Sequence, residues 1–323
     1  MHLCAIAIGM LMAHTATLAQ RQGRVWRVGM LETISATSNA ANLHAFREGL
    51  RELGYVEGRD FILEYRSSGG QDQRFAELAA ELVRLNVDVI VARGSPASLA
   101  AKNATPTIPI VMSRTGDPVR SGLVTNLARP GGNITGLSSQ SVDTEAKRLE
   151  LLRELTPGLK RIAALSNMGT PNSPPQWKEI ETAARSLGIE SQLLDVRRPE
   201  DLQSAFDAAS RQHADALVVG QDGLLQSNRK RIVDLAMAHR LPAIYRSMEF
   251  VEAGGLIGYG PHYPDLYRRA AIYVDKILKG ARPGDLPIEQ PTRFELLINL
   301  KTAKALGLTI PRSILLRADQ LVE

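Results

Sequence analysis

The sequence has little of what most catalytic chemistry needs. Its 323 residues include one cysteine, Cys4, and only His44, His213, His239 and His262 among histidines beyond the first twenty positions. None of these histidines forms an H-x-x-x-H pair, and a chain cleaved behind Cys4 carries no thiol. Zinc ligation, disulfides and cysteine nucleophiles are therefore not expected. No G-x-S-x-G elbow is present, and no G-x-G-x-x-G follows the first apolar strand, where Gly29 stands alone. Gly131-Gly-Asn-Ile-Thr-Gly136 has the outline of a phosphate loop, but Leu137-Ser138 follows where a lysine would have to meet the phosphates. Ser95, beside Gly94, has no partner base that the sequence singles out. No catalytic residue, metal ligand or cofactor is expected, and the chain reads as a binder rather than an enzyme.

Other scarcities narrow the class further. Aromatic residues make up 5% of the chain, which suits α/β layers packed with Ala, Leu and Val. Beyond the N-terminus no apolar run is long enough to cross a membrane. The formal charge of +5 comes from basic residues spread along the chain. Their short clusters, Arg197-Arg198, Arg229-Lys230-Arg231 and Arg268-Arg269, lie in or beside helical patterns and read as solvated faces, so no nucleic-acid partner is expected. Residues 1–19 contain no Lys, Arg, Asp or Glu; Leu3 to Met12 is apolar, and Thr17-Leu18-Ala19 resembles a small-x-small cleavage site. This segment is read as a secretory signal peptide and the rest as an exported protein. A start codon placed too late would explain the missing basic residues at its beginning.

What is present is a repeat. Val87 to Ala92 is a short β-branched run that ends at Gly94-Ser95-Pro96 and opens a helix, one βα unit. Ala214-Asp-Ala-Leu-Val-Val-Gly-Gln-Asp222 has the same shape. Each is followed by a proline-marked strand, Ile108-Pro-Ile-Val-Met112 and Leu241-Pro-Ala-Ile-Tyr245. Arg27–Leu31 matches Arg161–Leu165, and Leu53-Gly54 matches Leu187-Gly188. The offsets from Arg27, Gly54, Asp88 and Pro109 to their counterparts are 134, 134, 127 and 133 residues. Landmarks kept in order at nearly constant spacing predict two similar α/β lobes with parallel sheets. Lobe 1 is expected over 24–135 plus 261–290, and lobe 2 over 136–260 plus 291–323, with three crossings making a hinge.

In open parallel sheets, ligands sit beyond the carboxyl ends of the strands, so two facing lobes would build one cleft from those loops. Lobe 1 offers the loop from Thr33 through Ser35 to Asn39, then Gly94, Ser95 and Pro96, then Arg114 to Asp117. Lobe 2 offers Asn167, Asn172 and Ser173, then Gln221 and Asp222, then Arg246 and Tyr259. The amides at the Gly94-Ser95 and Asn172-Ser173 helix starts suit a carboxylate, and Asp222 suits an amine or hydroxyl. Each has an alternative role: Ser95, Asn172, Ser173 and Asp222 as helix caps, Arg114 and Asp117 as a pair with each other, Tyr259 as hinge packing.

Leu53-Gly54-Tyr55 with Glu57-Gly58, Ile108-Pro-Ile-Val with Gly116-Asp-Pro118, and Arg129-Pro-Gly-Gly-Asn-Ile-Thr-Gly136 together resemble one family, as do Ile277-Leu-Lys-Gly280, Leu286-Pro-Ile-Glu289 and Ala305-Leu-Gly-Leu308. It is the ABC-transporter substrate-binding family that includes tryptophan- and tyrosine-binding members, and the resemblance runs from about Arg24 to the C-terminus. It implies the type I periplasmic-binding fold and a monomer that closes on a small molecule and presents it to an ABC permease and its ATPase. It also implies that Ser95 and the Asn172-Ser173 turn hold a ligand carboxylate and Asp222 an amino group. The sequence departs from the expected pattern at Arg93 and at Gln221-Asp222-Gly223; Arg93 in the cleft would favour a more anionic ligand, or one without an amine. The ligand is expected to be an amino acid or a small aromatic or carboxylated metabolite. The competing reading, the effector-sensing domain of a regulator with the same fold, needs a DNA-binding helix pair before Arg24.

Overall fold

A computed structural model describes residues 24–139 and 144–323, so the expected signal segment lies outside the described residues. The first sheet contains β1 (Trp26–Glu32), β2 (Phe61–Ser67), β3 (Val89–Arg93), β4 (Ile110–Thr115) and β5 (Ile134–Ser138), in the order β2-β1-β3-β4-β5 and all parallel. The second contains β6 (Arg161–Ser166), β7 (Glu190–Asp195), β8 (Ala216–Val219), β9 (Ala243–Tyr245), β10 (Ile257–Pro261), β11 (Phe294–Asn299) and β12 (Gln320–Val322). Its order is β7-β6-β8-β9-β10-β11-β12, with only β11 antiparallel to its neighbour β10. The first five strands of each sheet thus follow one topology, and the repeat in the sequence is a repeat of structure.

Register carries the repeat to single residues. Val28 pairs with Val89 and Ile162 pairs with Ala216, at the same offsets that the sequence shows. Asp88 accepts the Arg27 amide at 2.7 Å, and Asp215 accepts the Arg161 amide at 2.8 Å. An aspartate just before the third strand therefore clasps the start of the first strand in both lobes. The fall in offset occurs between Gly54 and β2: lobe 1 makes a turn through Tyr55–Asp60, whereas in lobe 2 Ile189 alone separates Gly188 from β7.

Alternation along buried strands supplies both faces of each sheet. In β3, Val89 and Val91 pack with Phe46, Leu50, Tyr267 and Val274 from the helices Ala40–Glu52 and Tyr263–Leu278. Ile90 and Ala92 face the other way, onto Phe75, Leu78 and Leu82 of the helix Phe75–Arg84 and Ala97 of the helix Gly94–Ala104. Lobe 2 repeats the arrangement, with Ala216 and Val218 towards Ile180 and Leu217 and Val219 towards Phe206. The helix Tyr263–Leu278 reaches lobe 1 because Gly49 lets it come close: a Cβ on Gly49 would stand 2.8 Å from the Arg268 carbonyl.

The chain passes between lobes after β5, after β10 and before β11. These passages are tied to each other: Ser138 donates its amide to Glu289 at 2.9 Å and His262 donates its amide to Arg293 at 3.1 Å. The first sheet continues to Ser138, because β5 pairs with β4 from Ile134 to Ser138. Between β8 and β9 stand two helices, Gly223–Ser227 and Arg229–Ala238, because Asp222 caps a short first turn and Asn228 leaves helical geometry. The C-terminal tail ends in β12, paired with β11, and a short helix, Met248–Glu252, follows β9.

Candidate functional site

Loops at the carboxyl ends of β1, β3, β4, β6, β8 and β9 line a cavity of about 120 Å³ between the lobes. Thr33, Gly94, Ser95, Pro96, Arg114 and Asp117 reach it from lobe 1, and Asn172, Gln221 and Asp222 from lobe 2. Arg93 also lines it. Four expected residues do not. Ser35 is exposed and bonds Ser38. Ser173 is buried against the Thr170 hydroxyl at 2.7 Å. Tyr259 stacks on Phe294 with ring centres 6.1 Å apart. Asn167 lies beside the cavity, where its side chain favours the ionised form of the Asp222 carboxyl.

The helix starts hold a surprise in their side chains. The helix Gly94–Ala104 is capped by Arg93 in extended conformation, and Ser95 sits inside its first turn. Gly94 takes φ +83°, a left-handed value that a side chain would strain. Asn172 stands at the cap position of the helix Ser173–Ser186 but its side chain caps nothing. Instead Asn172 Nδ2 donates to Ser95 Oγ at 2.6 Å across the cleft. The two residues expected to cap helices are therefore partners of each other, one from each lobe. Gly116 makes room for this contact: a Cβ there would lie 2.8 Å from Asn172 Nδ2.

Asp222 caps a helix, as its alternative role foresaw, and keeps one oxygen out of that cap. One oxygen accepts the Leu225 amide at 2.8 Å and caps the short helix, while Oδ2 is buried with no partner. Burial pushes its pKa up to about 7, and the nearby Asp72 adds to the rise. Asp72, on a 3-10 turn in lobe 1, is itself pushed up to about 6 by burial, and its Oδ1 also lacks a partner. Two carboxyl groups thus face one another from opposite lobes, each with an unfilled oxygen. Gly223 permits the approach, since a Cβ there would meet the Thr33 methyl and stand 3.2 Å from Asp72 Oδ1. Asp72 was missed in the sequence, although it follows β2 and the strand-end rule applies to β2 as to the others.

Arg93 is corrected from a free cation to a bridge. It donates to Asn39 Oδ1 at 2.9 Å, lies 3.7 Å from Glu32 and 3.5 Å from Glu249 on the far lobe. Glu249 is also held by Asn42 at 3.1 Å, by Ser247 at 2.8 Å and by Gln226. Burial would raise the Glu249 pKa, but Arg93 and Arg114 outweigh it and hold the carboxyl below its usual range. Glu32 is fully buried; there burial wins over Arg93, and the carboxyl is raised while it accepts the Tyr267 hydroxyl at 2.6 Å. Arg114 and Asp117 do not pair either. Asp117 accepts the amides of Val119 and Arg120, and the Arg114 guanidinium lies 3.3 Å above the Tyr263 ring.

Among the described residues no cluster of His, Cys, Asp and Glu is arranged to hold a metal ion, and no helix is long and apolar enough to cross a membrane. A sequence profile of the family described as ABC transporter substrate binding protein matches residues 27–322. The chain is 29% identical over 282 residues to a tyrosine-binding protein of Clostridioides difficile, covering 87% of this chain and 81% of that one. Two solved structures are similar over nearly the whole chain. A Streptococcus pneumonia ABC domain in complex with L-Trp is similar at TM-score 0.86, with 28% identity, over 93% of this chain and all of that one. The ligand-free, open structure of a Clostridium difficile substrate binding protein with adhesive properties scores 0.67, at 26% identity over 92% of this chain and 99% of that one. This chain has the type I periplasmic-binding fold and belongs to the ABC transporter substrate-binding protein family, whose members bind solutes and are not enzymes.

Proposed function

We propose that the protein is the extracytoplasmic receptor of an ABC importer, a monomer that closes its lobes on an α-amino acid and delivers it to a permease driven by its ATPase. The observation that carries this reading is the pair of unfilled carboxyl oxygens, Asp222 Oδ2 and Asp72 Oδ1, in a cavity reached by both lobes. A ligand ammonium seated there would satisfy both acceptors and offset two buried acids at once, which neither wall can do alone. Ser95 Oγ and Asn172 Nδ2, which line the same cavity, would take the α-carboxylate. Tyrosine and L-Trp, the ligands named for two relatives, share this α-amino acid head group and differ beyond it. An export signal at residues 1–19 agrees with a receptor outside the cytoplasm.

The test is a melting-temperature screen of amino acids, followed by calorimetry on the hits. At a hundred times its Kd a ligand stabilises by about 2.7 kcal/mol, a shift of several degrees. Asp222→Ala should weaken binding by roughly a hundredfold and Ser95→Ala by roughly tenfold, corresponding to about 2.7 and 1.4 kcal/mol. Unchanged affinity in Asp222→Ala would remove the ammonium from this seat.

A further inference from the structure

The cavity has a second set of unfilled groups, and they are donors. Arg114 follows along β4 and Arg246 follows β9, so equivalent strand ends of the two lobes each deliver an arginine to the cavity. Arg114 is 5% exposed and has no ion pair among the described residues; its Nη1 is buried without a partner. Arg246 has Nε buried without a partner, and its one carboxylate, Glu145 at 3.5 Å, is shared with buried Arg148 and with Gln176. The Tyr263 hydroxyl, whose ring carries Arg114, is a further buried group with no partner. The other cavity arginines are already engaged, Arg93 with Glu32 and Glu249, and Arg120 with Asp117 and Glu179.

A guanidinium keeps its charge at any working pH, so burial cannot be relieved by losing a proton. Leaving such donors unmatched is costly, and a carboxylate is the group that fits two of them. Phe75 is the one aromatic side chain among the cavity residues, so an indole or phenol would find little to stack on. Resting on the α-amino acid reading, we propose that the ligand carries a second acidic group, a side-chain carboxylate held by Arg114 and Arg246, and that the protein selects acidic over neutral and aromatic amino acids. The site would then be bipolar: the ammonium at Asp72 and Asp222, and the distal carboxylate at the two arginines.

The experiment is calorimetry of the exported chain with L-aspartate, L-glutamate and L-2-aminoadipate, each against a neutral counterpart (L-asparagine, L-glutamine, L-tyrosine), and with glutarate. One acidic amino acid should bind at least a hundredfold tighter than the neutral compounds. Arg246→Gln should bring that preference below fivefold, and Arg246→Lys should restore part of it; Arg114→Lys, which keeps the charge but loses the fork, should cost about tenfold. Circular dichroism and melting of each variant separate lost binding from lost folding. Tighter binding of a neutral or aromatic amino acid than of every acidic one would overturn the inference and leave the amino-acid reading standing. Binding of glutarate as tight as that of glutamate would overturn the amino-acid reading while keeping the arginine pair. An undiminished preference in a folded Arg246→Gln protein would overturn the role of that residue and with it the proposal.

Discussion

The two lobes share a frame and differ at their tips. In both, the first five strands have one order, an aspartate clasps the first strand, and a glycine on the fifth strand presses on its neighbour. That glycine is Gly136 in lobe 1, where a Cβ would overlap the Met112 backbone, and Gly260 in lobe 2, where it would overlap the Arg246 carbonyl. At the end of β3, however, lobe 1 presents Gly94-Ser95 and a helix running to Ala104. At the end of β8, lobe 2 presents Gln221-Asp222 and a helix that stops at Ser227. What fixes the sheet has been kept in duplicate, and what the strand ends present to the cavity has diverged into a hydroxyl on one side and a carboxyl on the other. Function here resides in the strand ends, not in the fold that carries them.

The largest effects should come from breaking the shared frame. Gly136→Ala and Gly260→Ala force a side chain onto backbone, and Gly136 adds a φ of +125° that alanine resists. Each should destabilise by about 2–3 kcal/mol in urea unfolding. A loss below about 0.5 kcal/mol in either would mean that the two fifth strands are not equivalent. Next come the aspartate clasps. Asp88→Ala should cost about 1–2 kcal/mol, and Asp215→Ala less, because Asp215 is exposed and water can replace its bonds. Equal losses would show that exposure does not separate the two clasps.

The smallest effect, and the most specific, concerns the tips. Asp222 at about 7 and Asp72 at about 6 both lie above the ordinary value of 3.8. Closed lobes therefore keep protons, between about pH 4 and pH 7, that separated lobes would give up. Closure without ligand is favoured on the acid side and weakens as pH rises through that window. A bound ammonium reverses the sign, since it favours both ionised carboxylates. Binding should then release protons, and affinity should rise roughly three- to tenfold from pH 5 to pH 8. Calorimetry in buffers of different ionisation heat counts those protons. A flat profile would place the ammonium elsewhere.

Much of this was legible in the sequence because it rests on periodicity and on spacing. Val87–Ala92 and Ala214–Val219 could be recognised as strands from local pattern, and their common offset gave two lobes. Asp222 could be nominated because it ends such a strand. The contacts across the cleft were not legible, since they join residues such as Ser95 and Asn172 that lie 77 positions apart and depend on how the lobes meet. For the same reason Ser95 and Asn172 looked like caps, Arg93 looked like a free cation, and Gly223 looked like a departure rather than a space kept for Thr33. Glu249 was missed because nothing in Ser247-Met-Glu249 marks a residue that will meet Arg93 from the other lobe.

The bonds that Ser95, Arg93 and Asn42 make to Asn172 and Glu249 require no ligand atom. They hold the two lobes against each other before anything enters. If the form able to admit a ligand is only a fraction of the population, the measured dissociation constant rises by the inverse of that fraction. The same bonds lengthen the time a captured molecule stays inside. Cross-cleft bonds that form without any solute atom would thus set a dwell time, and on the proposed role a permease would have to overcome them, as well as the solute's own affinity, to empty the receptor.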